Sequence, residues 1–139
     1  MARCRTLALI KPDGVSRGLI GKVIARIEDA GLRILQLQMK HVTKQEAEVF
    51  YGAHRGRPFY DALTEFTAAA PLVALVIEGD DAVTKWRAMM GATDPAKAGV
   101  GTIRGDFREK GAPMMRNVVH GSDSEGSATN EIGLFFPVR

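Results

Sequence analysis

A histidine late in the chain is the strongest candidate for a reactive side chain. His120 follows the apolar pair Val118-Val119, which predicts the end of a short strand, and precedes a turn-forming Gly-Ser-Asp-Ser run that leads into a possible helix. Backbone packing can hold a histidine at a strand end while its ring faces a cleft, and a neutral imidazole is a competent nucleophile or base near neutral pH. On this stretch alone, a histidine that packs or caps a turn is an equal alternative.

Several other side chains are of types that bind phosphate. Arginine matches phosphate oxygens with its planar fork, threonine adds a hydroxyl, and lysine adds a compact charge. The candidates are Lys11, Arg57, Arg87, Thr93, Arg104, Arg116 and Asn117. Each of them singly can be a solvated surface group, so a phosphate site requires that they converge on His120. A Walker-type loop is excluded, because Ser16 and Val23 stand where the motif around Gly21-Lys22 requires glycine and Ser or Thr.

The composition predicts one soluble domain spanning residues 1–139. A chain of 139 residues that is 45% hydrophobic can bury one core, and a net charge of +3 favours anionic ligands only weakly. The single cysteine, Cys4, cannot form an internal disulfide, and the scattered histidines show no zinc-ligand spacing. The apolar run 7–10 is too short for a signal-peptide core or a membrane span. We therefore expect a cytoplasmic protein with no membrane partner.

The elements that must position these side chains follow from periodicity and turn residues. Apolar runs predict strands at 6–10, at 72–77 in the centre of the sheet, and at 32–42 with one buried face. Helices are predicted at 20–30, from the Thr43/Glu46 capping box through Tyr51, at 59–69, at 82–90 and at 124–132. Turns are predicted at 11–14 and 78–81, a long functional loop at 91–113, and a tail at 133–139 that packs on the domain.

The order of these elements predicts the fold class. Without the extra helices the order is βαββαβ, the ferredoxin-like α+β plan, in which helices pack on one face of an antiparallel four-stranded sheet. A long loop precedes the last strand.

Six sequence blocks together resemble the nucleoside diphosphate kinase family. They are Lys11-Pro-Asp-Gly-Val, Arg17-Gly-Leu-Ile-Gly, Arg57-Pro-Phe, Gly91-Ala-Thr-Asp-Pro, Gly101-Thr-Ile-Arg-Gly-Asp-Phe and Arg116-Asn-Val-Val-His-Gly-Ser-Asp. The blocks occur in the family's order and span nearly the whole chain.

The resemblance implies a ping-pong reaction. A nucleoside triphosphate phosphorylates His120, and a nucleoside diphosphate then takes the phosphoryl group, so one difficult transfer becomes two symmetric ones. The family pattern places phosphate- and sugar-binding side chains at Lys11, Tyr51, Arg87, Thr93, Arg104 and Asn117. Glu131 matches the acidic residue that binds the ring nitrogen that is not phosphorylated, and Ser122 matches a supporting hydroxyl.

The resemblance also implies how the base and the metal are bound. The base stacks on Phe59 with Leu63 beneath it, and stacking without base-edge readout implies broad acceptance of ATP and of other nucleoside tri- and diphosphates. Mg²⁺ is the expected cofactor, bound through the nucleotide phosphates with few or no protein ligands. The resemblance further implies a homo-oligomer, a tetramer or hexamer built from dimers.

One segment departs from the family pattern. Eight residues, Arg-Glu-Lys-Gly-Ala-Pro-Met-Met, separate Phe107 from Arg116, more than the family usually has. The aliphatic residue that covers the outer face of the base has no clear counterpart, and Met114 or Met115 is the candidate replacement. The extra residues could widen the cleft, alter subunit contacts or have no effect.

Two functions from other classes compete with this hypothesis. One is a nucleotide- or nucleic-acid-binding module that has lost catalysis, against which the intact His120, Lys11 and Glu131 argue. The strands also lack the interleaved aromatic residues of single-strand RNA readers, so no specific nucleic acid is expected. The other is a purely structural oligomer, which leaves the basic and hydroxyl residues unexplained.

Overall fold

The structure is a computed structural model that describes residues 3–137. Within that range the chain forms four strands and seven α-helices. In chain order they are β1 (Arg3–Ile10), α1 (Pro12–Ser16), α2 (Ile20–Asp29), β2 (Arg33–Lys40), α3 (Lys44–Phe50), α4 (Tyr60–Ala68), β3 (Leu72–Asp80), α5 (Ala82–Met90), α6 (Ile103–Asp106), β4 (Val119–Gly121) and α7 (Glu125–Phe135).

The strands form one antiparallel sheet in the order β2-β3-β1-β4. This is the ferredoxin-like α+β arrangement, so the predicted fold class is confirmed. The apolar run at 72–77 is paired on both sides, as predicted for the centre of the sheet. Among residues 3–137 β4 pairs only with β1, and its register sets His120 opposite Leu9.

Helices cover both faces of this sheet. On one face Ala8, Ile10 and Leu75 pack against Val23 and Ile27 of α2 and against the buried side of α5. On the other face a second set of strand side chains meets α3 and α7; it consists of Leu7, Leu9, Leu72 and Ala74, which pack with Val42, Ala47 and Phe135. The helices beyond the βαββαβ plan therefore protect a face that the plan leaves open.

Several predicted boundaries agree with the structure. α2 ends one residue before its predicted end and α5 occupies its predicted range; Gly91, whose φ of +85° suits glycine, follows α5 as its C-cap. The capping box is present, since Thr43 Oγ1 accepts from the Glu46 amide at 3.0 Å and Glu46 Oε1 accepts from the Thr43 amide at 2.8 Å. α3 nevertheless ends at Phe50, and a 3₁₀ turn follows at Gly52–His54.

Other predictions about local structure are wrong. The turn predicted at 11–14 leads instead into the short helix α1, because Pro12 suits the first helical position. The turn predicted at 78–81 starts too early, since the third strand continues to Asp80. Arg3 and Arg5 of the paired first strand bind Glu78 within this continuation. α7 runs past Ile132 to bury Phe135, while Leu134 stays exposed. Residues 138–139 of the predicted tail lie outside the described range.

The long loop at 91–113 is partly ordered into helix. It contains a 3₁₀ turn at Pro95–Lys97, capped by Asp94, and the single-turn helix α6, capped by Thr102. These turns bring Arg104 to a buried position beside β4.

The predicted buried face of the strand at 32–42 is also wrong. In the described part of the chain β2 is an edge strand that pairs only with β3, and most of its side chains are exposed. Leu37 and Met39 are 51% and 55% exposed. The alternation that predicts a buried face therefore marks an apolar surface that the described chain does not cover.

Candidate active site

A cavity of about 550 Å³ opens beside β4 and contains most of the predicted site residues. This volume lies within the range of ordinary small-molecule sites. The predicted residues that line it are Lys11, Tyr51, Phe59, Leu63, Arg87, Thr93, Arg104, Asn117 and His120. Glu131 and Ser122 lie behind His120 rather than in the lining. The structure does not bring Arg57 and Arg116 to the cavity; Arg57 is exposed and Arg116 binds Glu109.

His120 is held at one ring nitrogen. Its Nε2 lies 3.1 Å from Glu131 Oε1, and the Ser122 hydroxyl donates to the same oxygen at 2.9 Å. Because a carboxylate can only accept, Nε2 carries the proton and Nδ1 keeps its lone pair. Within residues 3–137 Nδ1 has no hydrogen-bond partner. The ring is therefore oriented with one nitrogen free.

The environment keeps this imidazole neutral. Burial lowers the pKa of His120 below its ordinary 6.5, the hydrogen bond and charge of Glu131 oppose that shift, and the nearby cations Lys11 and Arg104 add to it. Near neutral pH the ring thus has an available lone pair. The prediction that His120 lies at a strand end is wrong, since it is the middle residue of β4.

A strained turn leads into the histidine. Val118 has a φ of +71°, rare for a β-branched residue, and the Val119 amide donates to the Asn117 carbonyl at 2.7 Å, which closes a γ-turn. Residues of the Lys11–Asp13 segment hold both backbone groups of Val118. Its N–H donates to Asp13 Oδ2 at 2.9 Å, and its carbonyl accepts from the Lys11 amide at 2.8 Å. These contacts stabilise a conformation that Val118 alone disfavours.

Lys11 is buried at the cavity wall. Its Nζ donates to the Met115 carbonyl at 2.6 Å and to Asn117 Oδ1 at 2.8 Å. Burial lowers the pKa of Lys11, the charge of Asp13 opposes that shift, and the charge of Arg104 adds to it. The net pKa is about 7. The ammonium is therefore poised to gain from an anion in the cavity.

Arg104 supports the backbone while it faces the cavity. Its guanidinium donates to the carbonyls of Asn117 (3.2 Å), Gly91 (3.1 Å) and Val119 (2.7 Å). Burial lowers the pKa of Arg104 to about 10, which still leaves it charged at neutral pH. The Asn117 side-chain amide in turn donates to the Thr93 carbonyl at 3.0 Å, so four predicted phosphate-binding residues form one connected network: Lys11, Thr93, Arg104 and Asn117.

Part of the cavity lining is apolar. Leu63 packs with Tyr51 and Tyr60, and Met115 packs on this cluster. Phe59 and Met114 remain 40% and 54% exposed at the cavity. Burial raises the pKa of Tyr51 far above its usual range, so its hydroxyl stays protonated. Of the two candidate methionines, Met114 is the one left free to cover a ligand.

The segment that departs from the family pattern reaches the site directly. Glu109 and Arg116 bind each other across it at 2.9 Å, which ties its ends together. Its last residue, Met115, supplies the carbonyl that accepts from Lys11. The segment is thus part of the cavity wall.

Sequence reasoning missed four residues that belong to the site. Asp13 stands in a stretch predicted as a turn, and Asp123, which binds Arg87, stands in another. His54 lines the cavity with its ring centroid 5.3 Å from that of Phe59. Trp86 donates its indole N–H to the His120 carbonyl at 3.1 Å. Helical spacing marks Trp86 as a core residue, but no local signal links it to His120.

Comparisons with known proteins agree with this geometry. The family model "Nucleoside diphosphate kinase" matches residues 4–139. A nucleoside diphosphate kinase of Anaeromyxobacter sp. (strain Fw109-5) is 52% identical over 137 residues, 99% of this chain and 92% of the relative. That of Desulfosudis oleivorans is 51% identical over 132 residues, 95% of this chain and 93% of the relative.

Solved structures give the same result. The nucleoside diphosphate kinase of Aquifex aeolicus superposes with a TM-score of 0.91 at 39% identity, covering 97% of this chain and 96% of that one. The Halobacterium salinarum enzyme, solved in complex with CDP, superposes with a TM-score of 0.93 at 41% identity, covering 99% and 90%.

Fold, cavity and relatives together define an enzyme that transfers phosphoryl groups between nucleotides. The chain belongs to the nucleoside diphosphate kinase family. No helix within residues 3–137 is long and apolar enough to cross a membrane.

Proposed function

We propose that this enzyme moves the γ-phosphoryl group of a nucleoside triphosphate to a nucleoside diphosphate through a phosphohistidine at His120. The observation that carries the proposal is the ring geometry: Nε2 is held by Glu131, and Nδ1 is unpaired in a cavity lined by Lys11, Arg87 and Arg104. A neutral nucleophile among cations suits attack on a polyanion.

In the first half-reaction the Nδ1 lone pair forms a bond to the γ-phosphorus. The bond from that phosphorus to the bridging oxygen breaks, its electron pair stays on the oxygen, and the nucleoside diphosphate leaves. The proton on Nε2 remains, and Glu131 stabilises the positive charge that develops on the ring. In the second half-reaction a terminal oxygen of another nucleoside diphosphate attacks, and the N–P electrons return to Nδ1.

The cationic and polar residues stabilise the phosphoryl group in transfer. Lys11, Arg87 and Arg104 supply positive charge, while Tyr51, Thr93 and Asn117 supply donors for the phosphates or the sugar. Ser122 supports Glu131. In our proposal these residues work as one preorganised site.

Mg²⁺ fits this site as a partner of the nucleotide. No cluster of His, Cys, Asp or Glu within residues 3–137 could hold a metal ion, and the carboxylate in the cavity lining, Asp123, is bound to Arg87. We propose that the nucleotide phosphates supply most of the ligands of Mg²⁺, together with water. The bound ion neutralises phosphate charge.

The apolar end of the cavity suits a base of any type. We propose that the base stacks on Phe59 over Leu63, with Met114 on its outer face. Stacking requires only an aromatic face, so purine and pyrimidine nucleotides should both react. Exchange from ATP to a panel of nucleoside diphosphates tests this, and strong discrimination among the bases would contradict it.

The proposal also covers assembly and location. Residues 1–139 act as one domain, and copies associate into a tetramer or hexamer that is built from dimers, which the uncovered apolar edge of β2 supports. The single cysteine suits the reducing cytoplasm.

Labelling with γ-³²P-ATP tests the mechanism. The enzyme should acquire an acid-labile, base-stable label that a nucleoside diphosphate removes, and His120→Ala should acquire none. A His120→Ala protein that labels and turns over normally contradicts the proposal. Nucleotide binding without a phosphoenzyme would instead support the binding-module alternative.

A further inference from the structure

Two side chains fix the carbonyls of β4 from different sides. β4 pairs with β1 along one edge, and within the described chain no strand pairs with the other. On that other edge Arg104 donates to the carbonyls of Asn117 and Val119. Carbonyls of successive strand residues point to opposite edges, so the His120 carbonyl faces β1, and Trp86 donates to it from the side of the sheet that α5 covers.

We infer that Trp86 is a positioning residue for His120. Its indole N–H holds the nucleophile's own carbonyl at 3.1 Å, and the side chain is 0% exposed in the core between α5 and the sheet. Because the His120 ring extends from the same residue, fixing this peptide plane fixes where the ring stands relative to Glu131. The inference rests on the proposed role of His120.

The neighbouring glycine is matched to the indole. A Cβ at Gly121 would lie 2.5 Å from Trp86 Cδ1 and 2.7 Å from Nε1. Real Cβ atoms do not make such contacts, so the indole occupies space that only glycine at 121 leaves. Trp86 and Gly121 therefore act as a pair.

A purely structural role makes a different prediction. A buried tryptophan that only fills the core affects stability, and its N–H uses whichever acceptor is near. A positioning residue instead controls the rate of chemistry at saturating nucleotide and the hydrogen bonding of the His120 ring. The two roles separate in the following experiment.

Trp86→Phe keeps an aromatic ring in the core but removes the N–H. Under single-turnover conditions with ATP, phosphorylation of His120 should slow roughly 10-fold with little change in KM, since a misplaced nucleophile lowers kcat. In ¹⁵N NMR spectra the His120 ring should lose its single Nε2–H tautomer. Ile27→Val, a core change in the same cluster at a residue that does not line the cavity, should lower stability and alter neither measurement.

A second variant tests the pairing. Gly121→Ala should displace the indole and slow phosphorylation in the wild-type background. In the Trp86→Phe background the same change should cost less, because the displaced contact is already gone. Equal costs in both backgrounds would contradict the pairing of Trp86 with Gly121.

The outcomes separate this inference from the proposed function. If the wild-type enzyme is never phosphorylated, the proposed function fails, and the ring spectra still decide whether Trp86 orients His120. If the wild-type enzyme is phosphorylated and Trp86→Phe shows unchanged rate and ring spectra, the positioning role of Trp86 is overturned while the proposed function stands.

Discussion

Burial shifts the pKa of both His120 and Lys11 downward, with opposite consequences for catalysis. For His120 the shift favours the neutral ring, which is the form that the proposed mechanism requires. For Lys11 the shift to about 7 works against the charged form, which is the useful one. An anion in the cavity reverses the second effect, because its charge favours the ammonium.

The pH dependence of kcat/KM and of kcat should therefore differ. In the free enzyme Lys11 loses its proton near pH 7, so kcat/KM should fall above that pH. In the nucleotide complex the phosphates raise the pKa of Lys11, so kcat should stay level to higher pH. Steady-state assays from pH 5.5 to 9.5 check this, and coincident alkaline limbs would count against it.

The free energy of unfolding should rise with pH above pH 7, where kcat/KM of the free enzyme is expected to fall. Between pH 7 and 10.5 the unfolded chain keeps a proton that native Lys11 has released, so the free energy of unfolding should rise with pH. The slope from this one group is about 1.4 kcal/mol per pH unit. Urea unfolding at several pH values should show the rise in wild type and in Lys85→Met, an exposed control, but not in Lys11→Met.

Glu131→Gln separates the two effects of Glu131 on His120, the orientation of the ring and the negative charge beside it. The amide oxygen can still accept from Nε2, but the charge that stabilises the phosphorylated ring is lost, so kcat should fall about 10- to 100-fold. Because Glu131 raises the pKa of His120, the acid limb of kcat/KM should also move to lower pH. Ser122→Ala, which keeps the carboxylate, should have a smaller effect on both. An acid limb that stays in place would argue against the assigned contact.

At the scale of elements, the site depends on the contact between the α1 segment and the turn that precedes β4. Asp13 is 1% exposed, and it pairs one oxygen with the Val118 amide. Its other oxygen has no hydrogen-bond partner among the described residues. The carboxylate therefore combines a structural role, support of the strained γ-turn, with an electrostatic one, since it raises the pKa of Lys11.

Asp13→Ala should destabilise the fold by about 2–4 kcal/mol, because it leaves a buried amide unpaired beside a strained residue. Asp13→Asn keeps an acceptor but loses the charge, so it should cost less and move the alkaline limb of kcat/KM to lower pH. Chemical unfolding and pH profiles measure the two effects. Asp29→Ala, at an exposed position of α2, should change stability by no more than about 0.5 kcal/mol.

Sequence patterns predict the elements whose determinants are local. The apolar spacing of α2, the glycine after α5 and the capping box at Thr43 each act within one or two turns, and all three are present. The γ-turn at Val118 has no local determinant. It exists because Asp13, distant in sequence, binds its amide, and the contact from Trp86 to His120 is hidden for the same reason.

At the scale of the whole molecule, β2 is an edge strand whose apolar face is exposed. Leu37 and Met39 lie opposite Leu75 and Val73 in the register, so they extend an apolar face beyond the helices that cover it. Sequence alternation identifies this face correctly as apolar. The alternation does not reveal whether the residues that cover this face belong to the same chain or to another copy.

Leu37→Lys with Met39→Lys should shift the enzyme toward smaller species if copies associate through this edge. Charges at both positions disfavour burial of the strand in an interface. Sedimentation analysis of wild type should show an oligomer, and the double variant should dissociate at higher concentration. Val100→Lys, at a fully exposed loop position, should leave assembly unchanged. A monomeric wild type would contradict self-association.

The pairing of β4 with β1 has a consequence for synthesis of the chain. His120 and Glu131 come late in the sequence, whereas Lys11 and the strand that receives β4 come first. A nascent chain contains Phe59 and Leu63 long before it contains His120. In the proposed mechanism phosphoryl transfer therefore cannot begin on the ribosome until β4 has paired with β1 and α7 has brought Glu131 to His120, which makes activity itself a measure of completed folding.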